Sequence, residues 1–279
     1  MTPHMHLHIL ASGSKGNAAV VEGPTGSVLV DCGLSRKRLY ERAREAGCDL
    51  SRVEAILVTH EHSDHTTGLP VVCRRFMGPV YATAGTASGR RNLADVPFTL
   101  IDSGDTVEVG GMVIRAFSTS HDVNDPTCFR FEVRGQAGEP DEDELLDALA
   151  WATDTGFLTD DALDALYGCR IIGIEANHDA RLLATGPYPA YLKARVASER
   201  GHLSNEQAAQ AIPALVTHNT EVVVAMHLSE ENNRPSLAVR ALAQALGAEA
   251  ADTTFTEARS PDGLLSVCAA SQYVPITLW

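Results

Sequence analysis

With 279 residues, 44% of them apolar and 21% charged, the chain is long enough to bury a sizeable core. No apolar run approaches the roughly 18 residues that span a bilayer, which excludes an α-helical membrane protein. A net charge of −14, from 36 acidic and 22 basic residues, argues against a general nucleic-acid-coating protein. It leaves a nuclease open, because bound metal supplies positive charge where a phosphate sits.

The predicted elements alternate strands with helices. Residues 6–11, 18–22 and 27–31 read as three short strands joined by glycine-containing turns. His4, His6 and His8 alternate along the first of them and read as structural or exposed. Residues 35–46 form a helix closed by Gly47, and the apolar run 53–58 suits a buried strand. A helix begins near Asp64, and 106–109, 112–118 and 128–134 follow as antiparallel strands. Residues 139–147 hold six acidic side chains and read as a solvated loop and helix start. Residues 151–153 and 171–175 are buried strands, and amphipathic helices at 205–215 and 236–246 flank a strand at 221–225. Strands 253–257 and 264–268 close a hairpin around Ser260-Pro261-Asp262-Gly263. Strand blocks followed by helices, in two similar halves without repeat or linker, predict one α/β domain over 1–279: an αββα sandwich with mixed sheets.

Cys32, Cys48, Cys73, Cys128, Cys169 and Cys268 are scattered, with no Cys-x-x-Cys spacing. Buried free thiols are expected rather than disulfides or a thiolate zinc site. The first residues lack the basic segment and apolar stretch of a signal peptide, so a cytoplasmic protein is expected, with no membrane partner.

The chemistry concentrates at strand ends. Thr59-His60-Glu61-His62-Ser63-Asp64-His65 follows the buried strand 53–58 directly. His60 and His62 stand two apart, so in extended chain they face one way and Glu61 the other, while Asp64 and His65 follow as the chain turns into a helix. Three histidines and an aspartate in six residues suit metal ligation far better than a polar surface loop. His121, Asp154 and His227 each follow a predicted strand, and His202 precedes the 205–215 helix. Singly, His121 would read as a surface histidine, and Asp154 or His202 as a helix cap. Together they put imidazole and carboxylate groups after successive strands, as a site at a sandwich edge requires.

The sequence resembles the YycJ/WalJ group of metallo-β-lactamase-fold hydrolases, relatives of RNase Z and RNase J. The resemblance is carried by SGSKGN at 12–17, VDCG at 30–33, THEHSDH at 59–65, TSHD at 119–122, ATD at 152–154, EANHD at 175–179, GHLSNE at 201–206 and HLS at 227–229. It implies an αββα fold and a dinuclear site of two divalent ions, zinc or manganese. It further implies 5′-to-3′ exonuclease action, with DNA as the nucleic-acid partner. Carried over by position, His60, His62 and His121 hold one ion and Asp64, His65 and His227 the other, with Asp154 bridging. Asp64 is also a proton acceptor for the attacking water. His202 matches the catalytic histidine of RNase Z and would protonate the leaving group, with Glu175 as its carboxylate. Asp31 would orient a ligating histidine from behind, or else form a turn. The 12–17 loop, through Ser14, Lys15 and Asn17, would contact a phosphate, or else be a plain hairpin turn. His178 would touch the substrate phosphate or cap a helix.

Three features depart from the wider family. Thr155 stands where an apolar residue is usual, and 135–149 is longer and more acidic than the resemblance implies. Only 47 residues separate Asp154 from His202, which leaves no room for the additional domain of RNase J. Two other function classes remain open: a small-molecule hydrolase of the same fold, cleaving a thioester, lactone or cyclic phosphodiester, and a metal-bound, non-catalytic regulator.

Overall fold

The computed structural model describes residues 4–135 and 144–279. Most of the acidic run expected as a loop and helix start lies outside these residues. The chain divides into two compact units. The first comprises Met1–Ser118, Val123–Leu149 and Gln272–Trp279, and the second Thr119–Asp122 and Ala150–Ser271.

In chain order the first unit contains β1 (His6–Ala11), β2 (Ala18–Glu22), β3 (Ser27–Val30), α1 (Arg36–Glu45), β4 (Val53–Leu57), α2 (Ser63–Thr66), α3 (Leu69–Val72), β5 (Val80–Ala82), α4 (Ala84–Ser88), β6 (Phe98–Leu100), β7 (Thr106–Val109), β8 (Met112–Ser118) and β9 (Thr127–Arg134). β10 (Leu145–Ala152) runs on into the second unit. That unit contains α5 (Asp160–Leu166), β11 (Ile171–Glu175), α6 (Ala180–Thr185), α7 (Ala190–Val196), α8 (Asn205–Ala211), β12 (Val222–Met226), α9 (Pro235–Leu246), β13 (Glu249–Ala250), β14 (Glu257–Arg259) and β15 (Ser266–Ala269). β16 (Ile276–Leu278) returns to the first unit. Among the described residues no helix is long and apolar enough to cross a membrane.

In the first unit a mixed sheet runs β16-β1-β2-β3-β4-β5-β6. β1 to β3 pair antiparallel and β3 to β6 parallel. Leu10, Val20, Leu29, Ile56 and Val80 from its strands form a core with Leu39 and Ala43 of α1. Burying a side chain such as Leu39 contributes about 1.5–3 kcal/mol. α1 starts where the Ser35 hydroxyl accepts the Arg38 N–H, and Gly47 at φ +70° stops it. β7, β8 and β9 form an antiparallel meander in the same unit, with β10 next in sheet order.

In the second unit the strand order is β13-β14-β15-β12-β11-β10. β11 (IIGIE) is buried throughout and β12 (VVVAM) nearly so, as parallel central strands require. α9 begins with Pro235 in its first turn, buries Ala238, Val239 and Leu242, and ends at Gly247 in the left-handed conformation.

Several boundaries differ from expectation. The α-helix expected over 205–215 stops at Ala211 and tightens into a 3-10 turn, Ile212–Ala214, because Pro213 has no N–H to continue it. The strand expected at 151–153 begins at Leu145, so strand stands where the acidic run was read as entering a helix. The final hairpin pairs 257–259 with 266–268, shifted to leave 260–265 as its turn. His8 is buried between Thr277 and Glu22, at 3.0 and 3.3 Å, and burial lowers its pKa. The His6 ring stands edge-on to Trp279.

Candidate metal centre

Parallel pairing of β3 with β4 sets Val30 beside Leu57. The residues just beyond those strand ends, Asp31 and Thr59, therefore meet. The buried Asp31 carboxylate accepts the Thr59 N–H at 2.9 Å, the Thr59 hydroxyl at 2.9 Å and His65 Nδ1 at 2.7 Å. That bond puts the His65 proton on Nδ1 and the lone pair on Nε2. Nε2 accepts from the Asn17 amide at 2.9 Å, the kind of donor that a metal would replace. His60 Nδ1 stands 3.1 Å from the Thr59 hydroxyl, and the His60 ring lies 4.9 Å from that of His62 and 4.0 Å from that of His65.

Glu61 points away from this group, as alternation requires. Buried, it accepts the Asn124 N–H at 3.0 Å and so ties the motif to the loop before β9. Gly33 allows the closest approach in this half: a Cβ there would lie 1.6 Å from the Asp64 carbonyl oxygen.

The 12–17 loop is more fully bonded than a phosphate-binding nest. The Gly13 N–H donates to the Asn17 side chain, the Lys15 N–H to Gln272, the Gly16 N–H to Gly13 and the Asn17 N–H to Asp64. Lys15 is exposed, and its ammonium donates to the Tyr273 hydroxyl at 2.8 Å. Asn17 sits beside His65 and 3.4 Å from the Asp64 carboxylate, so it belongs with the histidine motif rather than at the surface.

In the second unit His121 follows β8, Asp154 follows β10, Glu175 ends β11 and His227 follows β12. His121 Nδ1 donates to the Gly201 carbonyl at 3.0 Å, which directs its Nε2 toward Asp154 Oδ1, 3.8 Å away. Burial lowers the His121 pKa, against the opposing charge of Asp154, and so favours the neutral ring that a metal ligand must be. His227 Nδ1 donates to Glu175 Oε1 at 2.9 Å, and His202 Nδ1 to the same oxygen at 2.8 Å. Asp154 Oδ1 lies 3.5 Å from His227 Nδ1 and 3.9 Å from His202 Nδ1.

Glu175 is completely buried, and its other oxygen accepts the Thr155 and Leu203 N–H groups. Burial pushes this carboxyl up, but the charge and hydrogen bond of His202 and the hydrogen bond of His227 outweigh it, and the group is held below its ordinary range. Donor atoms of Asp154, Glu175, His202 and His227 lie within 4.8 Å of one another. Four hydrogen bonds already occupy the Glu175 carboxylate, which makes it a clasp for two imidazoles rather than a ligand.

His178 is buried, and burial lowers its pKa. It does not cap α6: Asp179 does, accepting the Leu182 N–H. The supporting residues Thr155, Asn177 and Asn233 were not read from sequence. Besides meeting Glu175, Thr155 accepts the Ser120 N–H through its hydroxyl. Asn177 donates to the His227 carbonyl at 2.8 Å, and Asn233 to the Ala176 carbonyl at 2.7 Å. Asn177 lies inside the EANHD motif and Thr155 directly after ATD, whereas Asn233 stands four residues beyond HLS.

Asp31, Asp154 and His227 share one more property. Each has positive φ, at 61°, 54° and 54°, immediately beyond a buried strand. Non-glycine residues there cost about 1–3 kcal/mol, and such strain gathers at functional sites. The donors are nitrogen and oxygen throughout. His65, His121 and His227 each have Nδ1 anchored on an oxygen, which turns Nε2 to the side where a metal could be held. Both His/Asp clusters have the makeup of divalent-metal sites.

Residues 27–228 match the profile of the Beta-lactamase superfamily domain. The chain is 35% identical over 246 residues to "Exodeoxyribonuclease YycJ" of Bacillus anthracis, covering 87% of this chain and 89% of the relative. It is 36% identical over 247 residues to "Exodeoxyribonuclease WalJ" of Streptococcus pneumoniae serotype 2 (strain D39 / NCTC 7466), covering 85% and 88%. Among solved structures it is similar to the metallo-β-lactamase fold protein YhfI from Bacillus subtilis, at a TM-score of 0.65 and 13% identity, over 98% of this chain and 99% of that one. The chain therefore belongs to the β-lactamase superfamily, as a hydrolase of metallo-β-lactamase fold in the YycJ/WalJ group.

Proposed function

We propose that the protein is a 5′-to-3′ exodeoxyribonuclease that binds two divalent ions, zinc or manganese. The observation that carries this reading is the buried Glu175 carboxylate, which holds two imidazoles of different expected roles on one oxygen. His227 is the ligand of the pair and His202 the acid. By the resemblance, His60, His62 and His121 hold one ion, Asp64, His65 and His227 the other, and Asp154 both. When bound, the ions supply Lewis-acid charge against the phosphate and make water acidic enough to ionise near neutral pH.

The residues of the chain do the rest. Asp64 accepts the proton of the attacking water. Asp31 fixes the tautomer and orientation of His65. The ionised Glu175 supplies the counter-charge for an imidazolium at His202, which protonates the departing alkoxide oxygen. Holding the phosphate falls to the Ser14 and Lys15 side chains, to Asn17 beside Asp64, and to His178. The six free thiols support a reducing, cytoplasmic setting.

End-labelled DNA and RNA, single- and double-stranded, test the reading in the presence of Mn²⁺ or Zn²⁺. Loss of label from the 5′ end of DNA, stopped by a 5′ block but not a 3′ block, is the expected result. Cleavage of RNA alone, or equal sensitivity to either block, overturns it. A thioester or lactone turned over while bis-p-nitrophenyl phosphate is spared would favour the small-molecule hydrolase instead.

A further inference from the structure

The segment leading into His202 is locally basic within an acidic chain. Residues 181–200 contain four basic side chains, Arg181, Lys193, Arg195 and Arg200, against one acidic, Glu199, in a protein of net charge −14. Tyr191, on the first turn of α7, is 76% exposed, and Tyr188 precedes it across Pro189. An exposed aromatic among basic residues suits a ligand with both a flat apolar face and negative charge.

The segment is also anchored by hydrogen bonds. Pro189 stands at the N-terminus of α7, and the Lys193 ammonium donates to the Ala184 carbonyl at 2.7 Å. Arg195 donates to Asp122 at 2.5 Å, and Arg200 to the His121 carbonyl at 3.2 Å. The His202 N–H donates to the Val196 carbonyl at 2.9 Å, which fastens the end of α7 to the histidine. Gly201 permits this, because a Cβ there would lie 2.3 Å from the Arg195 and Val196 carbonyl oxygens. A ligand lying along α7 is therefore led to His202 and His121.

We infer that α7 and its flanks are a docking face for a single strand of nucleic acid, with Tyr191 stacking one base and Lys193, Arg195 and Arg200 meeting its phosphates. Within a duplex each base is stacked between its neighbours and offers Tyr191 no free face, so the strand is taken single. This deepens the nuclease reading above and rests on it.

The test is fluorescence anisotropy with a phosphorothioate-linked oligothymidylate, which resists hydrolysis, and the metal-loaded protein. Tyr191→Ala should weaken binding about 5- to 150-fold, the range of one base stack. Tyr191→Trp should restore it, and Tyr167→Ala, at another exposed tyrosine, should leave it alone. Lys193→Ala with Arg200→Ala should flatten the salt dependence by about 0.7 in log–log slope for each phosphate no longer neutralised. Thermal midpoint and metal content report whether each variant is folded. Unchanged binding by folded Tyr191→Ala, or a blunt duplex bound as tightly as the single strand, overturns the inference. A protein that binds the strand through Tyr191 yet cleaves neither DNA nor RNA would sink the nuclease reading alone.

Discussion

His202 Nδ1 and Glu175 Oε1 are 2.8 Å apart, and the same oxygen also anchors His227. The proposed proton donor and the proposed metal ligand thus share one buried carboxylate. If His202 is the acid, its removal matters only when the leaving group needs a proton. His202→Ala should slow nucleic-acid hydrolysis by about 100- to 10,000-fold. It should leave metal content intact and spare a p-nitrophenyl phosphodiester, whose leaving group departs as a stable anion. Equal losses on both substrates would assign His202 a structural or ligand role.

Glu175→Gln should do more than His202→Ala. A neutral amide cannot accept two imidazole protons and two backbone N–H groups on equal terms. The variant should lose metal affinity as well as nucleic-acid cleavage, and its thermal midpoint should fall, because the buried Thr155 and Leu203 N–H groups lose a charged acceptor. Metal titration of purified protein beside wild type decides this. Full metal affinity in Glu175→Gln would show that His227 needs no carboxylate behind it.

Asp154 is proposed to serve both ions, so Asp154→Asn should lower metal content below two per chain and nearly abolish turnover. Asp31→Ala acts one step back, through His65, and should weaken metal binding about 10- to 100-fold. Elemental analysis of dialysed protein separates the two effects. One tightly held ion in fully active wild-type protein would contradict the dinuclear assignment.

The thiols make a prediction independent of the site. Burial raises the pKa of Cys73 to about 11 and of Cys48 and Cys268 to about 12, and that of Cys32 further. At pH 8 a thiol of pKa about 11 is only about 0.1% thiolate, the form that reacts. Folded protein should therefore consume an aromatic disulfide reagent slowly at pH 8, faster as pH rises, and six equivalents should react once guanidinium unfolds it. Fewer than six after unfolding would reveal a disulfide.

Much of this architecture is legible from local pattern. The apolar runs of β4, β11 and β12 announce buried strands, and the crowding of histidines after β4 announces a metal site, because both signals lie within a few residues. What is not legible depends on distant partners. β16 spans three residues beside a proline, and only its pairing with β1, across the length of the chain, makes it a strand. The start of β10 hides in an acidic stretch whose Asp147 accepts the His4 and Met5 N–H groups. Asn17 looks like a turn residue until folding sets its amide against His65. Thr155, a departure from the family pattern, is a working part because Glu175 and Ser120 reach it from elsewhere in the chain.

The left-handed backbone at Asp154 sets the fold against the activity it carries. A glycine at that position would adopt φ near 54° without steric cost. It would also remove a negative charge that opposes the ionised form of buried Glu175. The metal-free chain should then be at least as stable without this proposed bridging residue as with it. Selection for stability alone would erase the site, so a library screened only for heat resistance would accumulate sturdy, inactive proteins substituted at strand ends, and stabilising this hydrolase requires holding those positions fixed.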